Sequence, residues 1–168
     1  ASFALRGYIG GVGLIGGGPP ASILTEEFVV AEGMARIRVY RTGPRIDGQH
    51  LSCVMCIHGS AFYGGMFDKD PLLLPRASEE NVIVLCDHRG SLEEGTFPYA
   101  LHDVASCVRF VRANAEQLGI DRERIAVFGD SSGAWMASML AVLSANPKPA
   151  LLGRLGDYPE ESASVSCA

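Results

Sequence analysis

The sequence predicts an α/β chain folded as a three-layer α/β/α sandwich, and three observations carry that reading. Two nearly continuous apolar runs, Leu51–Ile57 and residues 82–86, have the composition of parallel strands covered on both faces. A third run, residues 125–128, passes through Gly129-Asp130-Ser131-Ser132-Gly133 straight into a helical pattern over residues 134–145. Ahead of them stand two short strand-like segments separated by Glu32-Gly33, the pattern of an antiparallel hairpin.

Taken in order, residues 1–24 form a Gly-rich tail. Seven glycines in the first 20 residues break up Phe3, Leu5, Tyr8, Ile9, Val12, Leu14 and Ile15, so the stretch has neither the uninterrupted apolar run of a signal peptide nor the length of a membrane span. Residues 25–168 read as the N-terminal portion of a single domain. The hairpin occupies residues 27–31 and 35–40, and residues 41–49, with Gly43, Pro44 and Gly48, make a loop. Between the two apolar strands, Pro71 and Pro75 restrict any helix to a short one or to a start after Pro75. Leu101, Val104, Val108, Val111, Ala115 and Leu118 then recur at three and four residues, a single amphipathic stripe that Gly119 ends. Residues 121–124 turn the chain into strand 125–128. After the following helix, Asn146-Pro147-Lys148-Pro149 stops it, residues 151–162 connect, and Val165-Ser166-Cys167-Ala168 begins another strand.

Length and composition bound the function. A chain of 168 residues removes roughly two-thirds of its unfolded surface from water when it folds completely. The apolar fraction is 48%, the formal charge is −5 and no basic cluster occurs, which excludes a nucleic-acid surface and an anionic membrane as expected partners. Five cysteines are too few for a disulfide scaffold, and a reducing, cytoplasmic location is the simpler reading. Cys53-Val54-Met55-Cys56 has the spacing of a redox motif, but strand periodicity sends its two thiols to opposite faces. No cofactor or metal motif is found, and none is expected.

The chemistry is concentrated at Ser131. Glycines two residues before and after it fit a strand-turn-helix elbow that holds one hydroxyl above a sheet, because a side chain at 129 or 133 would strike the neighbouring strand or helix. The same pattern also describes a serine at an ordinary turn or helix N-cap. The second strand runs into His58-Gly59-Ser60-Ala61-Phe62, and the next into Asp87-His88-Arg89. With these three motifs in this order, the chain from about residue 27 to its end resembles the α/β-hydrolase fold, most closely bacterial esterases of the hormone-sensitive-lipase and acetyl-xylan or feruloyl esterase type. Their usual motifs are H-G-G-x-F/W, D-Y-R and G-D/E/S-S-A-G, so Ser60, His88 and Ser132 are departures.

The resemblance implies Ser131 as nucleophile and the backbone amides of Gly59, Ser60 and Ser132 as oxyanion donors. His58, Gly129, Asp130 and Gly133 support the geometry, His58 by holding the oxyanion loop. A non-glycine at 60 must then adopt the loop's dihedrals. In this fold the triad partners follow the serine in the order acid, then histidine. No histidine follows Ser131, and Asp157, Glu160 and Glu161 precede the next strand, so acid and base are left unassigned. His50 reads as exposed, His58 and His88 as loop organisers and His102 as a helix-surface group.

The expected function is a carboxylic ester hydrolase working through a serine acyl-enzyme on short acyl, aryl or carbohydrate esters, with a small-molecule ester as partner. Phe62, Tyr63 and Trp135 are either pocket or packing residues. The alternative is a catalytically silent member of the fold, or a binding module, that keeps the elbow as architecture. The 168-residue chain is expected to be truncated relative to the family, inactive by itself, and prone to self-association through an exposed sheet edge.

Overall fold

Strands β1 (Ile23–Val30), β2 (Ala35–Thr42), β3 (Leu51–Ile57), β4 (Asn81–Asp87) and β5 (Ile120–Gly129) form one mixed sheet in the spatial order β1-β2-β4-β3-β5. The structure is a computed structural model and describes residues 23–61, 63, 77, 80–89, 97–145, 152 and 156–168. β1 pairs antiparallel with β2, and β2 antiparallel with β4, whereas β3 runs parallel to both β4 and β5. Strand β3 therefore sits between two parallel neighbours, and the C-terminal ends of β3, β4 and β5 open onto the same end of the sheet. Ligands of open α/β sheets bind at that end.

Helices α1 (Tyr99–Ala113), α2 (Ala115–Leu118) and α3 (Ser132–Ser144) follow. The period-2 alternation of the strands divides the apolar residues between two faces. Ile37, Val39, Cys53, Met55, Ile57, Val82, Val84, Ile125 and Val127 share the main core with α1 and α3. On the opposite face Tyr40, Cys56, Ile83 and Leu85 gather around Ala77. The parallel strands β3 and β4 thus bury both faces, the physical content of their unbroken apolar sequence. The segment expected to carry a short helix after Pro75 lies largely outside the described residues, as do residues 1–22 and Phe62.

Several boundaries differ from the sequence reading. β1 starts at Ile23, within the stretch read as tail, and Ala31 belongs to a 3-10 turn, Ala31–Gly33, with positive φ at Ala31, Glu32 and Gly33. Residues 121–124 are not a turn before a strand. β5 begins at Ile120, and the extra length is absorbed by a register shift against β3 between Leu51 and Cys53. A bulge costs less than ending the strand, because the residues on either side keep their pairing.

The expected single helix breaks at Asn114, whose side chain caps back onto the Phe110 carbonyl at 2.8 Å, and resumes as α2 before the left-handed Gly119. Nor is α1 one-sided: Asp103, Ser106, Arg109 and Arg112, polar positions off the stripe, are buried with the apolar ones. The chain near the C-terminus covers Ser106 and Arg112. Arg112 Nε donates to the Ser162 carbonyl at 3.0 Å, and its terminal nitrogens reach the Ser164 and Arg122 carbonyls. Tyr158 stacks edge-on against Phe110, and Gly156 packs on Ser106. Beyond it, Ser166 N–H donates to Ile125 O at 2.8 Å and Val127 N–H to Cys167 O at 3.0 Å, a parallel bridge on the outer edge of β5 where the sequence begins another strand.

Cys53 and Cys56 are not a redox pair. Cys53 and Cys56 fall in the cores of opposite faces, and burial raises both thiols, that of Cys56 up to about 12. All five cysteines are free. Among the described residues, no helix is long and apolar enough to cross a membrane.

Candidate active site

The junction of β5 and α3 is where the backbone is most constrained. Ser131, between Gly129 at the strand end and Ser132 at the helix start, has φ 51° and ψ −121°. A residue with a β-carbon rarely adopts that region, and its cost of about 1–3 kcal/mol persists only where surrounding structure enforces it. Here the enforcement is local. Gly133 N–H and Ala134 N–H both donate to Asp130 O, at 2.8 and 3.2 Å, and Trp135 N–H donates to Ser131 O at 3.2 Å, so the helix closes onto the turn immediately. A β-carbon at Gly133 would overlap the Ile57 carbonyl oxygen of β3, and one at Gly129 would overlap the Gly133 carbonyl. The two glycines let helix, strand and turn approach within one backbone diameter, as expected from the spacing alone.

The loop after β3 meets this turn. Gly59 N–H donates to Asp130 Oδ1 at 2.8 Å, and Ser60 N–H donates to Ser132 Oγ at 3.0 Å. Both loop amides expected to face an oxyanion therefore have side-chain acceptors. A β-carbon at Gly59 would lie 2.8 Å from Ser131 Cβ, which measures how closely the loop abuts the elbow. The demanding dihedral of the loop falls on Ala61, with φ 50°, rather than on Ser60.

Behind the loop is a polar cluster that the sequence did not assemble. His58 Nδ1 lies 3.2 Å from Ser60 Oγ, whose own hydroxyl meets the Tyr63 carbonyl. His58 Nε2 is 3.3 Å from Asp87 Oδ1, within ion-pair reach but off the line of a hydrogen bond. Asp87 Oδ2 in turn accepts from Arg36 Nη2 at 2.5 Å. The His58 and His88 rings stack at 4.3 Å, tilted by 15°. His88 Nδ1–H donates to Arg89 O at 2.8 Å, which makes its buried Nε2 a lone pair with no hydrogen-bond partner. Burial first, and the neighbouring His58 second, lower the pKa of His88. Arg89 closes the cluster with Nε and Nη2 bonds to Asp103 of 2.8–3.1 Å, yet burial outweighs these contacts and raises the Asp103 carboxyl. The signal for these pairs was the charged residues beside an otherwise apolar pattern, Asp87 at a strand end and Asp103 next to the apolar stripe of α1.

The four histidines are thus accounted for, and none hydrogen-bonds Ser131 Oγ. His58 and His88 serve the cluster, half-buried His102 meets the Tyr99 ring edge-on at 6.0 Å, and His50 pairs with Glu116 at the far end of β3. Aromatic residues gather beside the elbow instead: Trp135, one turn along α3 from Ser131, meets Phe97 edge-on at 5.9 Å, and both rings remain half-exposed.

Comparison with known proteins places the whole chain rather than this turn. Residues 42–167 match the BD-FAE family. The chain belongs to that family. Carboxylesterase NlhH of Mycobacterium tuberculosis is similar to it, 31% identical over 150 residues that make up 88% of this chain and 47% of that protein. An arylesterase of Saccharolobus solfataricus is 29% identical over 73% of this chain and 40% of its own length. Among solved structures, a hyperthermophilic esterase from the archaeon Pyrobaculum calidifontis superposes with a TM-score of 0.61 at 30% identity, over 72% of this chain and 39% of the other. A thermostable carboxylesterase from a metagenomic library gives 0.63 at 30% identity, over 80% and 45%. The chain shares the α/β-hydrolase fold of these esterases and spans less than half the length of each of them.

Proposed function

We propose that this chain carries the nucleophile and the oxyanion loop of a carboxylic ester hydrolase acting through a serine acyl-enzyme. The observation that carries the reading is the Ser131 backbone, a non-glycine residue held at φ 51° where β5 meets α3. Its Oγ attacks the ester carbonyl, and charge develops on the former carbonyl oxygen at the N-terminus of α3, where the helix dipole favours it. The Ser132 amide is one donor to that oxygen and the Ser60 amide a second. Ser60 N–H is held only by the neutral Ser132 hydroxyl, which an oxyanion outcompetes. Gly59 N–H faces the Asp130 carboxylate, a charged acceptor that an oxyanion does not displace, so its part is to hold Asp130 and the turn in place.

No histidine is bound to Ser131, and the relatives are about twice as long. We therefore read residues 25–168 as the N-terminal portion of one domain, with the acid and base supplied by further residues. Half-exposed Trp135 and Phe97 beside the serine support an aryl or short acyl ester as substrate, with carbohydrate esters as the further class the family resemblance implies. The missing base equally supports a second reading, a silent member of the fold. Expression with its natural continuation of roughly 80–120 residues separates them: hydrolysis of acetyl, butyryl or feruloyl esters that is abolished by Ser131→Ala supports the esterase. Inertness toward all three, with no phosphonate adduct at Ser131, makes the silent reading correct.

A further inference from the structure

The described residues do contain one serine with a base in hydrogen-bond reach, and it is not Ser131. Ser60 Oγ lies 3.2 Å from His58 Nδ1, and the other nitrogen of that ring lies 3.3 Å from the buried carboxyl of Asp87, which also accepts from Arg36 at 2.5 Å. Nucleophile, base and orienting carboxylate follow one another in that order, the arrangement by which a side chain activates a hydroxyl. We propose that Ser60, His58 and Asp87 form a second nucleophilic relay, through which Ser60 is acylated or phosphonylated by activated acyl and phosphonyl electrophiles.

Arming it takes a rotation of the Ser60 hydroxyl and the His58 tautomer that is protonated on Nε2. At rest the Ser60 hydroxyl meets the Tyr63 carbonyl. Rotation about Cβ–Oγ turns the proton toward His58 Nδ1 with every heavy atom in place, and the matching tautomer carries its N–H on Nε2, facing Asp87. The Asp87 contact lies off the hydrogen-bond line in this unliganded arrangement, a looseness usual for catalytic pairs before substrate arrives. Position favours reaction as well: His58 and Asp87 are buried, the first held by the His88 stack and the second by Arg36, whereas Ser60 is half-exposed in the loop. With a fluorophosphonate, a bond forms from Ser60 Oγ to phosphorus, the P–F bond breaks, fluoride leaves, and the hydroxyl proton passes to His58 Nδ1 and on to water. With an ester, the acyl carbon takes the place of phosphorus and the leaving alkoxide takes the proton.

The relay does not rest on the role given to Ser131, and one experiment reads both. Trypsin places Ser60 in the peptide 46–69 and Ser131 in the peptide 125–154. The native chain, shown to be folded by circular dichroism, is treated with a fluorophosphonate beside a urea-unfolded control, and adducts are mapped by mass spectrometry. The expected result is an adduct on Ser60 in native protein alone, retained in Ser131→Ala and absent in Ser60→Ala. His58→Gln slows it about 10²-fold, the ordinary worth of a general base. Asp87→Asn, nearly isosteric, slows Ser60 labelling in the same direction without removing the Ser131 adduct, if that serine reacts. A folded chain without a Ser60 adduct, equal labelling in urea, or an unchanged Ser60 rate in Asp87→Asn overturns the relay, whatever Ser131 does.

Discussion

Arg112 in α1 is joined to Ser162 near the C-terminus by a 3.0 Å bond from its Nε to the Ser162 carbonyl, and the same guanidinium reaches Ser164 and Arg122. One buried cation therefore fixes the segment that leads to the bridge on β5. Arg112→Ala leaves those carbonyls without their charged donor and costs roughly 1.5–3 kcal/mol, the range for hydrogen bonds to charged groups. Amide exchange at Val127 and Ser166, whose N–H groups make and flank the bridge, should accelerate in the variant while that of Val84 in the central strand is unchanged. Unaltered exchange at both edge amides would show that the segment holds without Arg112.

Gly133→Ala sets helix propensity against close approach. Alanine gains about 1 kcal/mol over glycine inside a helix. Its β-carbon, however, overlaps the Ile57 carbonyl oxygen, which belongs to a central strand paired on both sides and has no room to yield. Overpacking of that kind costs about 1–3 kcal/mol. The overlap should win, and the melting temperature should fall. A rise would mean that α3 shifts freely on β3.

Acid sensitivity should come from His88. Its pKa in the folded chain lies below the ordinary 6.5, because burial and His58 disfavour the cation more than Asp87 favours it. The unfolded chain then takes up the proton first, so the stability due to neutral His88 is complete above pH 6.5 and is lost as pH falls through the lowered folded value. His88→Phe keeps a planar ring against His58 without a titrating group. Melting temperatures between pH 7.5 and 5 should slope less steeply in the variant, and the comparison cancels the opposite contribution of Asp103, whose carboxyl is raised. Parallel slopes would remove His88 as the cause.

Ser132→Ala deletes the hydroxyl that accepts from the Ser60 amide. With that competitor gone, the amide is free for a developing oxyanion. Phosphonylation of Ser131, in the form of the protein that reacts there, should accelerate roughly 2- to 10-fold, the factor that about 0.5–1.5 kcal/mol of hydrogen bonding represents. A slower reaction would instead make the Ser132 hydroxyl itself a donor.

Beyond the short bridge at Cys167, the outer edge of β5 has no further strand among the described residues, and Phe128 is 54% exposed there. An open strand edge beside an exposed aromatic ring invites a second copy. Light scattering on the 168-residue chain should report a mass above the 17.8 kDa monomer, reduced by Phe128→Glu. A monodisperse monomer with one sharp melt would overturn the association.

Local rules made part of this protein legible in its sequence. The unbroken apolar runs at Leu51–Ile57 and residues 82–86 required strands buried on both faces, and Gly129 and Gly133 around Ser131 required a turn with no space for side chains, because both demands act within a few residues. Strand and helix ends were less legible, since the bulge that lets β5 begin at Ile120 depends on β3 alongside it. The burial of Arg112 and Ser106 was hidden for the same reason: α1 alone has one apolar stripe, and its polar side is covered there by residues some 50 positions later in the chain, while Asp103 is buried against Arg89 from the loop after β4. The site divides in the same way. Ser131 and its glycines follow from spacing, but the partners of Gly59, Ser60, His58 and Asp87 are set by the parallel register of β3, β4 and β5. That register brings three strand ends together, and only tertiary pairing fixes it.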